Sequence, residues 1–199
     1  MSMTTTKTTA PGTLEAFWGE MAPCEHFVQI YEQDDVFLDT LQGFIEGGLR
    51  VGDGTIVIAS VAHLKGLEER LAAHGVDLEA VQKEGRYVPV VAAAALEKFM
   101  VRGWPDETRF RAMVNELLIR ARGDGRRVRA FGEMVALMWA QGHQEAVMKL
   151  ENMWHGLCQA EAFSLFCAYP RSGFAAELTD GIREVCQVHS KVVPGAHKS

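Results

Sequence analysis

The stretch AFGEMVALMWAQG, residues 130–142, carries a single carboxylate among apolar side chains. Gly132 and Glu133 follow an apolar run ending in Phe131 and open an apolar helix at Met134. A lone acid at the end of a buried strand either takes part in chemistry or holds something in place. Catalysis by a carboxylate needs company: a nucleophile, a base partner or a metal set within reach. The chain has no GxSxG and no HExxH, and no Ser, His and acid suggest a triad. It has no GxxxxGK[ST], so no lysine of that kind reaches a phosphate, and no GxGxxG follows a strand. Both GDG runs, at 52–54 and 123–125, precede strands and suit turns better than pyrophosphate.

Metal chemistry has equally little support in the spacing. The four cysteines, Cys24, Cys158, Cys167 and Cys186, form no CxxC or other ligand pattern. Cys158 and Cys167 lie in apolar segments and are expected to stay buried and reduced. His26, His63 and Glu133 are residue types that bind zinc or iron, but no two lie at close spacing. The reading is no metal and no cofactor.

These residues are positioned by an alternation of strands and helices. With 199 residues and 48% hydrophobic content, the chain is long enough for one well-packed domain. HFVQIY (26–31), TIVIAS (55–60), YVPVV (87–91), VRAFG (from 128) and FSLFCAYP (163–170) read as strands, with Pro89 placing the third near an edge. Asp34 or Asp35 would cap a helix burying Phe37, Leu41, Phe44, Ile45 and Gly48. Further helices carry Leu64, Leu67 and Leu71, a short run at 94–101, and a longer one after Pro105 and Asp106. Two more flank Gly142, and a last one carries Phe174, Leu178, Ile182, Val185 and His189. The fold class expected is α/β: a mostly parallel sheet of about five strands with helices on both faces. Residues 1–12 are expected as a disordered tail, 13–190 as the domain, with a short amphipathic turn from Leu14 to Met21, and 191–199 as a flexible tail.

The net charge of −6 gives no attraction to nucleic acid or to an anionic membrane. RRVR at 126–129, the only dense basic run, reads as a solvated strand entrance. With no signal peptide and no apolar run of roughly 20 residues, the expected compartment is the cytoplasm.

In an open parallel sheet, ligands sit outside the carboxyl ends of the strands. Those ends present Tyr31, Glu32, Asp34, Ser60, His63, Phe131, Gly132, Glu133, Met134 and Tyr169, with His26 opening the first strand. Aromatic walls, a few carboxylates and one histidine suit a small organic ligand better than a polyphosphate. Tyr31, His63, Glu133 and Tyr169 are expected to converge on one cleft. Each has a plainer reading: Glu133 as a first-turn acid facing a helix dipole, His63 as an ordinary helix-start residue, the tyrosines as core aromatics, His26 as a structural histidine and Asp34 as a cap.

HFVQIYEQDDVFLDTLQGFIEGGLRVGDGTIVIAS, HLKGLEERLAAHGVD, EGRYVPV, FMVRGWPD, VRAFGEMVALMWAQGHQEAVMKLENMW and FSLFCAYP, in that order, resemble the MEDS domain, the sensory domain of methanogen and methylotroph regulators. The resemblance spans about His26 to Pro170. It implies a RecA/KaiC-like fold whose phosphate-binding loop is lost, with IYEQDD standing in its place. It also implies a sensory role, small hydrocarbon-like ligands, and output through a histidine kinase or transcriptional regulator. The alanines at 92–95 depart from the family, which commonly carries an Asp after the third strand. The resulting expectation is a non-enzymatic sensory domain acting through a signalling partner, possible as a homo-oligomer. The alternative is a degenerate nucleotide-binding protein or a hydrolase using Glu133 and His63.

Overall fold

A computed structural model describes residues 24–174, 183, 185–187 and 189–193. The tail at 1–12, the amphipathic turn at 14–21, and Leu178 and Ile182 lie outside these residues. The strands are β1 (His26–Tyr31), β2 (Gly54–Ala59), β3 (Tyr87–Val91), β4 (Met100–Val101), β5 (Trp104–Pro105), β6 (Val128–Gly132), β7 (Ser164–Pro170) and β8 (Lys191–Val193). The helices are α1 (Asp34–Arg50), α2 (Val61–Ala73), α3 (Leu78–Lys83), α4 (Ala92–Phe99), α5 (Glu107–Arg122), α6 (Met134–Ala140) and α7 (Gln144–Glu161). Six strands form one sheet in the order β3-β2-β6-β7-β1-β8, and every pairing within it is parallel.

Parallel strands need crossovers, and the helices supplying them cover both faces. Strand side chains alternate accordingly. Phe27, Tyr31, Val57, Ala59, Phe131, Phe166 and Ala168 pack with α1, α2 and α3 on one face. Val28, Ile56, Ile58, Ala130, Leu165, Cys167 and Tyr169 pack with α4 to α7 on the other. The aromatic centre of the second face is Trp154, which meets Phe110 edge-on at 4.9 Å. Pro89 is accommodated because β3 is an edge strand, where a missing N–H breaks no ladder.

Several expectations change. Lys191–Val193, expected in a flexible tail, pair with Phe27–Gln29 as a sixth strand. Ser190 anchors this segment: its hydroxyl contacts both the N–H and the carbonyl of His26. The helix expected at 94–101 runs from Ala92 to Phe99, and Met100–Val101 instead pair with Trp104–Pro105 in a small antiparallel ribbon. The cap of α1 is Gln33, which makes no side-chain bond, while Asp34 and Asp35 occupy the first turn. Arg129 is not solvated. It is buried against Asp53 of the first GDG turn, Nε to Oδ2 2.9 Å, and also donates to the Phe44 carbonyl. Burial lowers the Arg129 pKa, and Asp53 opposes that shift. Cys158 and Cys167 are buried and free of disulfides. No described helix is long and apolar enough to cross a membrane.

Two glycines give opposite stability expectations. A Cβ at Gly54 would stand 2.1 Å from the Ala121 carbonyl oxygen, a backbone atom that cannot rotate away. Gly54→Ala is expected to destabilise by about 1–3 kcal/mol, as overpacking does. Gly156 lies exposed within α7 with nothing near the added carbon. Gly156→Ala should therefore raise stability by up to about 1 kcal/mol. Chemical denaturation of both variants checks the pair.

Candidate functional site

The carboxyl ends of β2 and β6 lie side by side, with Ile58 opposite Gly132. That register lets the Glu133 N–H donate to the Ile58 carbonyl at 2.8 Å, extending the ladder one residue past the strand. The Glu133 side chain turns across the same gap. Oε2 accepts the Ser60 N–H at 2.7 Å, and Oε1 lies 2.8 Å from His63 Nδ1. Ser60 is the N-cap of α2, so the carboxylate sits at the positive end of that helix. The Ser60 hydroxyl is engaged as well, accepting from the His63 N–H at 3.3 Å. Glu133 therefore acts as a strut between two strand ends, and it orients a histidine.

His63 is the side chain so oriented. With Nδ1 on Glu133, its Nε2 faces Asp34 at 3.9 Å, and Asp34 itself is exposed. Phe37 packs edge-on against the imidazole at 4.9 Å and stacks on Tyr31 at 4.7 Å. Tyr31, Phe37 and His63 thus form one aromatic row beside the carboxylate. The Glu133 hydrogen bond raises the His63 pKa, burial opposes it, and the charges of Glu133 and Asp34 add to the rise. Burial, with Glu133 and Asp34 nearby, pushes the Tyr31 phenol well above its ordinary range and keeps it protonated. The arrangement can present one N–H donor and a phenol at the sheet edge. The one hydroxyl beside the histidine among the described residues, that of Ser60, is engaged as the cap of α2.

Tyr31, Asp34, Ser60, His63 and Glu133 are brought together as expected; the others are not. Glu32 is exposed and pairs with Arg171 at 3.6 Å. Phe131 and Met134 are wholly buried, on opposite faces of the sheet. Gly132 faces the Trp154 ring, 3.5 Å from where a Cβ would stand. Tyr169 does not join the cleft, because strand alternation turns it to the α7 face, where its hydroxyl donates to Glu151 Oε1.

His26 lies on that face too, within a second polar cluster buried in the core. Its Nε2 is 3.3 Å from Cys167 Sγ and 3.6 Å from Glu151 Oε2. His189 Nε2 is also 3.6 Å from Glu151 Oε2, and Cys167 Sγ is 3.8 Å from it. One ligand atom from each of His26, Glu151, Cys167 and His189 lies within 4.8 Å of all the others. Burial pushes Glu151 up to about 7, with Tyr169 and Cys167 opposing, and pulls His189 down to about 4. It also lowers His26 and raises the Cys167 thiol, so every member tends to its neutral form. Sequence spacing hid this set, since its members are spread over 164 positions. Two signals were available: Glu151 on the buried stripe of α7, beside Leu150 and Trp154, and His189 on an apolar stripe.

Glu133→Gln keeps an acceptor for Ser60 but loses the charged partner of His63. The expected cost is about 1.5–3 kcal/mol, and the His63 pKa should fall back toward its ordinary value in a histidine NMR titration. The sign of the pH dependence follows from the raised value. Folded His63 holds its proton more tightly than the unfolded chain, so its contribution is complete below about pH 6.5. It disappears as pH rises through the raised pKa. The Tm gap between wild type and His63→Gln should narrow from about pH 6 to about pH 9. A gap independent of pH would show that His63 pairs in its neutral form.

Comparison with known proteins bears on the fold and the family. The chain is similar to a KaiC-like protein from the hyperthermophilic archaeon Pyrococcus horikoshii OT3, with TM-score 0.57 and 14% identity, covering 85% of this chain and 71% of that one. At that identity the likeness shows the fold, which is RecA/KaiC-like. Among curated proteins, no sequence matches. The family model described as MEDS, the methanogen/methylotroph, DcmR sensory domain, matches residues 25–190. The chain belongs to the MEDS family of sensory domains.

Proposed function

We propose that this protein is a non-enzymatic sensory domain that binds a small organic ligand at the carboxyl edge of its sheet, with His63 facing the ligand and Glu133 positioning it. The observation that carries the reading is the His63–Glu133–Ser60 constellation, held rigidly between two strand ends in a member of a sensory family. Fixing Nδ1 on a carboxylate sets the orientation of the ring and leaves Nε2 as the group available to a ligand. The Tyr31–Phe37 stack beside it supplies an apolar wall. The motifs of a phosphate cradle are missing from the sequence, and the Ser60 hydroxyl serves as the cap of α2, which favours binding over phosphoryl transfer. The β1–α1 connection and the first turn of α1, where a phosphate loop would stand, carry Glu32, Asp34 and Asp35, whose charges repel a polyphosphate.

Ligand binding would act by favouring one of two conformations of the edge, and a histidine kinase or transcriptional regulator would read the difference. The finer identification of ligand and partner rests on the family. Native mass spectrometry of freshly purified protein is expected to reveal a co-purifying small molecule. A thermal-shift panel of short alcohols and halogenated one-carbon compounds should contain a binder. At 100 times its dissociation constant such a compound stabilises by about 2.7 kcal/mol. His63→Gln should weaken it about ten- to a hundredfold, the equivalent of roughly 1.5–3 kcal/mol. A comparable rise in Tm with ATP and magnesium would instead establish nucleotide binding and overturn the proposal.

A further inference from the structure

We propose that His26, Glu151, Cys167 and His189 form a binding site for one divalent metal ion of the zinc class, sealed inside the protein on the α7 face of the sheet. The distances fit. Zinc bonds of about 2.0–2.1 Å to nitrogen, 2.0–2.2 Å to oxygen and 2.3 Å to sulfur place tetrahedral ligands about 3.3–3.6 Å apart. The measured separations are 3.3 Å for His26 to Cys167, 3.6 Å from each histidine to Glu151, and 3.8 Å for Cys167 to Glu151. All four ligand atoms lie within 4.8 Å of one another, so a movement of His189 by up to about an ångström toward His26 and Cys167 closes the set around one ion.

The surroundings of His189 and Glu151 resemble the supports that metal sites require, while His26 Nδ1 has no hydrogen-bond partner. A metal-bound histidine usually donates its other ring N–H to a carbonyl or carboxylate, which fixes the tautomer. His189 Nδ1 lies 2.7 Å from the Val185 carbonyl, so Nδ1 carries the proton and Nε2 presents its lone pair to the cluster. That Nε2 is fully buried and has no hydrogen-bond partner, a costly condition which an ion would relieve. Glu151 is supported in the same manner: Tyr169 donates to Oε1, leaving Oε2 toward the two histidines and the thiol. The charges also balance. One thiolate, one carboxylate and two neutral imidazoles sum to −2 against a +2 ion, giving a neutral centre in an apolar core. Binding would send the thiol proton, and any proton on Glu151, to solvent.

The site would also tie down the end of the chain. His26 opens β1 and Cys167 lies on the adjacent strand β7, while His189 directly precedes Ser190 and β8. A strand of three residues has little pairing of its own. An ion shared by His26 and His189 would fasten that strand to the sheet.

The test uses the full-length protein, stripped with a chelator and titrated with cobalt(II) as a spectroscopic substitute for zinc. One equivalent should produce a thiolate-to-cobalt charge-transfer band and the strong visible bands of a tetrahedral ion. Zinc should abolish both bands by displacement, raise Tm, and slow amide hydrogen exchange at residues 189–193. Cys167→Ser should remove the charge-transfer band. His189→Ala should weaken zinc binding by more than about 100-fold, beyond the 10–100-fold loss that outer-shell changes cause and that Tyr169→Phe should show. Should either ligand variant fail to fold, the wild-type titration and Tyr169→Phe, which retains the ring, decide the matter. A stripped wild-type protein that gives no bands with cobalt and no Tm change with zinc would overturn the proposal and leave the cluster a hydrogen-bonded core network.

Discussion

A parallel sheet covered on both faces gives polar side chains two acceptable positions. They can stand at strand ends, where water or a helix N-terminus meets them, or they can sit inside with partners for every polar atom. Glu133, Arg129 and Asp53 obey that division, whereas the buried His26 and His189 each keep a ring nitrogen without a hydrogen-bond partner. Glu133 stands at a strand end and engages both oxygens across the β2–β6 gap. Arg129 and Asp53 sit inside at the opposite end of the same two strands, and each neutralises the other. Together these pairs hold β2 and β6 at both ends, and α1 and α2 are attached to what they hold.

The division separates two clusters of polar and aromatic side chains on the two faces of one sheet. On the α1–α2 face, the aromatic row of Tyr31, Phe37 and His63 lies at the carboxyl edge of the sheet. On the α7 face, His26, Glu151, Cys167 and His189 are withdrawn from water. Adjacent residues of a strand therefore belong to different clusters: Phe166 packs against Phe131 and Phe44 on the α1 face while Cys167 joins the buried cluster. A six-residue strand such as β1 contributes to both, with His26 on one face and Tyr31 on the other.

The segment between β1 and α1 is short and acidic. In β1–α1 only Glu32 and Gln33 separate the strand from the helix, and acids follow at once. A phosphate cradle requires several free backbone N–H groups and a cation. The acids at this position favour cations or neutral donors, and Arg70 occupies Asp35 and Asp39 from the neighbouring helix.

Periodicity determined the strands of the core sheet, the helix faces and the edge position of Pro89, because the apolar pattern of a strand or helix is local. It also brought Tyr31, Ser60, His63 and Glu133 to one sheet edge, since parallel strands align their carboxyl ends. What periodicity lacks is the side of the sheet on which a residue falls and the partner it finds there. Tyr169 was misplaced for that reason: a step of one residue along β7 exchanges the edge cleft for the α7 core. The short β8 has too few residues for an apolar pattern and is recognisable only once it lies against β1. Glu151, Cys167 and His189 looked like isolated members of apolar runs. Their convergence on His26 depends on the α7 crossover and on the return of the chain to the β1 edge, and only the tertiary structure decides contacts made across such distances in sequence.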